Sequence, residues 1–143
     1  MKLSAKGSYA IKAMLNIAMN DGKEPKTLLE LAQYQGISLS YLEQLFALLR
    51  KSNLVSGVRG PGGGYKLSLS PHEISVAQII KAIHNESVVG SNPERKDDMI
   101  WNKFNDKLYA YLDTVTLDSL MRDDIGNIVH ESNNELKTST SEI

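Results

Sequence analysis

From Thr27 to Leu69 the sequence runs through two short amphipathic stretches, broken by Gly36, and then into a glycine-rich segment flanked by alternating residues. This order of signals leaves few architectures open. Thr27 with Glu30 three positions later is a capping box, so a short helix is expected over Leu28 to Gln35, ended by Gly36. Ile37 and Ser38 make a brief turn, and Ser40 with Glu43 reads as a second capping box, opening a helix that runs to about Ser52. Two helices joined by a short turn containing glycine have the layout of a helix-turn-helix. On the second helix Leu42, Leu45, Phe46 and Leu49 form one stripe, facing a core. Ser40, Glu43, Gln44, Ala47 and Lys51 lie opposite, with Arg50 beside them. That outer face is small and hydrogen-bonding, as a helix entering a DNA major groove requires, although a plain solvated face has the same pattern.

The segment "VSGVRGPGGGYKLSL" comes directly after this helix. Glycine runs often cradle phosphates, but neither phosphate-binding spacing fits. A P-loop needs Gly-Lys followed by Ser or Thr, and here Lys66 follows Tyr65. A dinucleotide fingerprint needs Gly-x-Gly-x-x-Gly opening a helix, and the residues after Gly64 alternate like a strand. Val55 to Val58 and Tyr65, Leu67 and Leu69 instead predict two strands around a tight tip, with Arg59 on its shoulder. A helix-turn-helix with an appended hairpin is a winged helix. The glycines let the tip turn tightly and approach a partner closely. Arg59 is then placed to enter a narrow A/T-rich minor groove, where negative potential is concentrated.

The flanking segments complete a mostly helical chain. Residues 4–20 read as a helix with Lys12, Asn16 and Asn20 as its polar positions, and Ser75 opens another to about Ile83. Residues 1–84 therefore form one domain with its own core. Residues 85–98 are polar and loop-like. A long helix is expected from Met99 to about Thr114, on which Ile100, Trp101, Phe104, Leu108, Tyr111, Leu112 and Val115 share an arc roughly 120° wide. Because the first domain already has a core, this stripe needs its own cover; a two-fold dimer is the simplest one, and packing back on its own domain is the alternative. Thr116 caps a last short helix, so the dimerisation unit spans 99–122. The polar composition of 123–143 predicts a disordered tail.

Composition narrows the function classes. There is no cysteine among the 143 residues, which removes disulfides, thiolate zinc sites and cysteine-ligated clusters. His72, His84 and His130 have no ligand spacing. No nucleophile elbow or metal-ligand motif marks an enzyme. The start carries Lys2, Lys6 and Lys12, unlike a signal peptide, and no apolar run approaches membrane length, so a soluble cytoplasmic protein is expected. Net charge is only −1, but residues 1–70 hold nine Lys and Arg against four Asp and Glu, while the remainder hold seven against thirteen. A basic front half suits a polyanionic partner.

The segment "GISLSYLEQLFALLRKSNLVSGVRGPGGGYKL", with "MKLSAKGSYAIKAML" before it and "WNKFNDKLYAYLDTVTLDSL" after it, resembles the IscR-type family of bacterial transcription regulators. The resemblance implies a homodimer that crosses its long helices and binds double-stranded DNA at a palindromic operator, as repressor or activator. It implies DNA reading by Ser40, Tyr41, Glu43 and Gln44, with Arg59 and the tip glycines Gly60, Gly62 and Gly63 as the wing. Lys2, Lys6, Tyr9, Arg50 and Lys51 are the expected phosphate contacts. For Glu43 two roles compete: capping its own helix, or accepting from cytosine N4, which is favoured because an idle carboxylate facing phosphates costs affinity. Cluster-sensing relatives carry three cysteines and a further ligand in the loop before the dimerisation helix. Here "ESVVGSNPERKDDM" has neither Cys nor His, so no iron–sulfur cofactor is expected. Glu94, Asp97 and Asp98 read as an acidic helix start complementing the helix dipole rather than a metal site. The alternative is a winged helix that has lost DNA binding and serves a protein partner.

Overall fold

The computed structural model describes residues 5–20, 24–84 and 96–123. Ala5–Met19 forms α1, whose Ala10, Ala13, Met14 and Ile17 recur every three or four positions and are buried together. Leu28–Gln35 forms α2. The Thr27 hydroxyl accepts from the Glu30 amide at 3.2 Å, and Glu30 Oε2 accepts from the Thr27 amide at 3.3 Å, which is the expected capping box. At the other end Gly36 adopts φ 67°, the Gly36 amide donates to Gln33 and the Ile37 amide to Ala32. This pair of bonds is a Schellman motif, and it turns the chain sharply toward the next helix.

That next helix, α3, spans Leu39–Lys51, and its start corrects the sequence expectation. The cap is Ser38, not Ser40: its backbone is extended and its hydroxyl accepts from the Tyr41 amide at 3.2 Å. Ile37, half-buried against the core, ends the turn one residue before Ser38 and leaves that serine at the first free position. Ser40 and Glu43 therefore lie inside the helix and form no capping box. α3 ends in a second Schellman motif, with Asn53 at φ 59°, its amide donating to Arg50 and the Leu54 amide to Leu49.

The motif feeds directly into β1, Val55–Val58, which pairs antiparallel with β2, Gly64–Leu67, Val55 facing Leu67 and Val58 facing Gly64. A third backbone segment joins this hairpin. Lys26 and Tyr65 exchange both amide–carbonyl bonds, at 3.0 and 2.7 Å. A single 3-10 turn over Pro71–Glu73 leads to α4, Val76–Ile83, capped by Ser75 and Gln78 and buried along most of its length. α5 spans Lys96–Asp113. It begins before Met99, so residues 96–98, expected to be loop, form its first turn, where Asp97 and Asp98 complement the helix dipole. Residues 117–123 are helical again, and the Thr116 hydroxyl accepts from the Ser119 amide at 3.1 Å, the expected cap.

The core is built from α1, α2, α3, α4 and β1, with Phe46, Met14, Ile17, Leu42, Leu49 and Ile79 among its fully buried side chains. Leu117, from beyond α5, is also fully buried in it. The architecture is the expected one: mostly helical, with a two-stranded wing and a long C-terminal helix.

Candidate nucleic-acid interface

α3 separates its faces cleanly. Leu42, Leu45, Phe46 and Leu49 are each exposed by 1% or less, whereas Ser40, Glu43, Gln44, Ala47, Arg50 and Lys51 are exposed. Glu43 is the only carboxylate on the helix. Arg50 and Lys51 occupy its last turn, where cations offset the negative end of the helix dipole. Neither has an ion-pair partner among the described residues.

Tyr41 differs from its neighbours. It is half-buried, packs on the core, and meets the Tyr9 ring edge to face at 5.9 Å. The two rings tie α1 to α3, and the Gln35 side-chain amide adds a bond from α2 to the Tyr9 carbonyl at 3.1 Å. Neither phenol hydroxyl has a hydrogen-bond partner among the described residues, so each keeps a polar tip for an outside group. Lys6 is exposed on α1. Lys2 lies outside the described residues, as do Glu94 and the rest of the segment 85–95.

Arg59 starts the loop between β1 and β2; it is exposed and carries no ion pair among the described residues. The glycines after it divide into two kinds. Gly60 (φ 95°) and Gly62 (φ 74°) adopt left-handed backbone in open space. Gly63 and Gly64 are hemmed in by the protein's own backbone. A Cβ on Gly63 would strike the Val58 carbonyl, and one on Gly64 the Lys26 carbonyl. Close approach at the tip is thus partly internal: Gly64 is small because Lys26 crosses it. The wing is also tied to α3 by Tyr65, whose ring meets Phe46 at 5.0 Å. Sequence reasoning missed the positioning roles of Ser38, Lys26 and Tyr65. Ser38 could have been found from the glycine two residues before it; the Lys26–Tyr65 pair leaves no local signal.

The predicted dimerisation stripe divides along α5. Ile100, Trp101 and Phe104 are 69%, 61% and 48% exposed, and the Trp101 and Phe104 rings stack at 5.4 Å. Met99, not anticipated, extends this patch. Leu108 and Leu112 are half-buried and Tyr111 is exposed; Val115, expected on the same stripe, lies beyond the end of α5 at Asp113 and is half-buried there.

The donor set does not fit an iron–sulfur cluster, since the sequence has no thiolate. No group of three or more His, Asp or Glu that could hold a metal ion occurs among the described residues. No described helix is long and apolar enough to cross a membrane.

Comparison with known proteins adds to this geometry. Residues 3–123 match the Rrf2 family, described as iron-dependent transcriptional regulators. The chain is 41% identical over 133 residues to the HTH-type transcriptional regulator IscR of Vibrio campbellii, covering 86% of this chain and 79% of that one. It is 40% identical over 158 residues to the same-named regulator of Photobacterium profundum, covering 97% and 90%. Among solved structures it resembles T. potens IscR, with TM-score 0.73, 37% identity and coverage of 87% and 88%. It also resembles CymR, the global cysteine regulator of B. subtilis, with TM-score 0.68, 33% identity and coverage of 84% and 95%.

Proposed function

Since the chain belongs to the Rrf2 family of DNA-binding transcriptional regulators, we propose that it is a dimeric, sequence-specific repressor of the bacterial cytoplasm that reads a palindromic operator without an iron–sulfur cluster. α3 enters the major groove. Ser40 and Gln44 hydrogen-bond to base edges, and Glu43 accepts from a cytosine N4 amine. Arg50, Lys51, Lys6 and Lys2 neutralise phosphates, and the hydroxyls of Tyr9 and Tyr41 add neutral contacts at the same edge. Arg59 enters the minor groove beside the half-site, and Gly60, Gly62 and Gly63 keep the wing tip slim enough to follow it. Two copies join through the exposed apolar half of α5, which sets two recognition helices one helical turn apart.

The observation that carries this reading is the exposed Arg59, without an ion-pair partner among the described residues, on a hairpin tied to α3 through Tyr65. An exposed arginine on a wing beside a polar helix face suits the negative potential of a narrow minor groove. On a duplex selected by the unaltered chain, Arg59→Ala should weaken binding roughly tenfold, mostly for A/T-rich flanks, and flatten the salt slope by about 0.9 per protomer. Unchanged affinity and slope would contradict the wing assignment. A winged helix that serves only a protein partner would instead show no duplex affinity at all.

A further inference from the structure

α5 buries none of its own residues, and it is held to the winged-helix domain at its C-terminal end. Leu108, Tyr109 and Leu112 are half-buried at this end, and four specific contacts mark the joint. The Lys81 ammonium sits over the Tyr109 ring at 5.3 Å. The Ser75 hydroxyl donates to Asp113 Oδ1 at 2.8 Å. Beyond the helix, the Val76 amide donates to the Val115 carbonyl and the Leu117 amide to the Ile74 carbonyl, at 2.8 and 2.9 Å, with Leu117 sunk in the core. The backbone pair fixes the path of residues 115–117, but the turn at Thr114 separates it from the helix. Orientation of the helix itself falls to its side chains. Lys81 is exposed, so water screens its contact. Ser75 is 5% exposed, and its hydroxyl is used on both sides, accepting from Gln78 while donating to Asp113. Asp113 is exposed too, but its bond is directional, charge-assisted and anchored on a buried hydroxyl, which makes it the stiffer of the two.

We propose that the Ser75–Asp113 hydrogen bond is a positioning contact: it sets the angle at which α5 leaves the domain, and through that angle the half-site spacing the dimer accepts. This rests on the dimeric DNA-reading function proposed above. The lever is long. From Asp113 to Trp101 the helix rises about 18 Å, so a tilt of about 10° moves its dimerising end by about 3 Å. One base pair rises by about the same amount, and two-fold symmetry doubles the displacement between recognition helices. A loose joint therefore blurs spacing without touching any base-reading residue.

The absence of cysteine makes the angle measurable. Gln33→Cys on α2 and Lys103→Cys on α5, both at exposed positions, accept one nitroxide each. Dilution with unlabelled chain restricts the measured distance to a single chain, independent of DNA. Asp113→Ala should broaden or shift the distribution by about 3 Å, whereas Asp113→Asn, which keeps the acceptor oxygen, should preserve it. On palindromes respaced by one base pair, the unaltered chain and Asp113→Asn should favour one spacing by roughly tenfold or more. Asp113→Ala should lose most of that preference while binding a single half-site unchanged. An unaltered distance distribution in Asp113→Ala would overturn the proposal, as would an altered one with spacing preference intact. Failure of the unaltered chain to select any duplex would refute the DNA-reading function instead, and the distances would still judge the angle.

Discussion

Glu43 stands at the fifth position of α3, beyond the orphan amides of the first turn, and Ser38 already caps that turn. The capping role that competes for this carboxylate in the sequence is therefore gone, and its exposure points it outward. Glu43→Ala should leave stability within about 0.5 kcal/mol yet cost roughly 1–3 kcal/mol of discrimination at one C·G pair. Binding to singly substituted operators, alongside a melting curve, separates the two effects. The wing glycines make a second residue-scale case. Gly60→Ala and Gly62→Ala meet open space and should cost about 1–2 kcal/mol each, from backbone conformation alone. Gly63→Ala and Gly64→Ala add collisions with rigid backbone carbonyls and should cost more. Urea unfolding of the four variants gives the order directly. The sequence explains the first pair, since a tight tip demands left-handed backbone. It does not explain Gly64, because the backbone segment that crosses it carries Lys26, far away along the chain.

Elements are legible where their signals are local. Thr27 with Glu30 announces α2, and Gly36 ends it; alternation around the glycines announces the hairpin. The start of α3 is hidden because its true cap, Ser38, has Tyr41 rather than an acid three positions on, and the pattern slides forward to Ser40 and Glu43. The difference is testable: Ser38→Ala should cost about 1 kcal/mol, and Ser40→Ala within about 0.5 kcal/mol, by denaturant unfolding. The start of α5 is hidden for a related reason. Lys96, Asp97 and Asp98 look like loop by polarity, but acids are favoured in a first helical turn. The candidate DNA-facing residues of α3 can be selected from periodicity alone, whereas the packing of Tyr41 on Tyr9 cannot, since it joins two helices.

For the whole molecule, the exposed half of α5 is an apolar surface that no other described residue covers. Phe104 and Trp101 stack on each other and remain largely exposed at the surface. Burying such a side chain against a second copy is worth about 1.5–3 kcal/mol, so Phe104→Ala should weaken dimerisation roughly 10–100-fold in sedimentation while barely altering the domain's melting. The uneven charge along the chain belongs to this scale too, with a basic front half that carries α3 and the wing and an acidic remainder. Dimeric reading of a palindrome, unaided by a cluster, is the heart of the function proposed. It is tested most directly by selecting duplexes from a random pool with the purified protein in air and following affinity for the winners against salt. A palindrome with half-sites about one helical turn apart is expected, with a log–log salt slope of about −9 from Lys2, Lys6, Arg50, Lys51 and Arg59 of two protomers. No enrichment, or binding indifferent to salt, would contradict it.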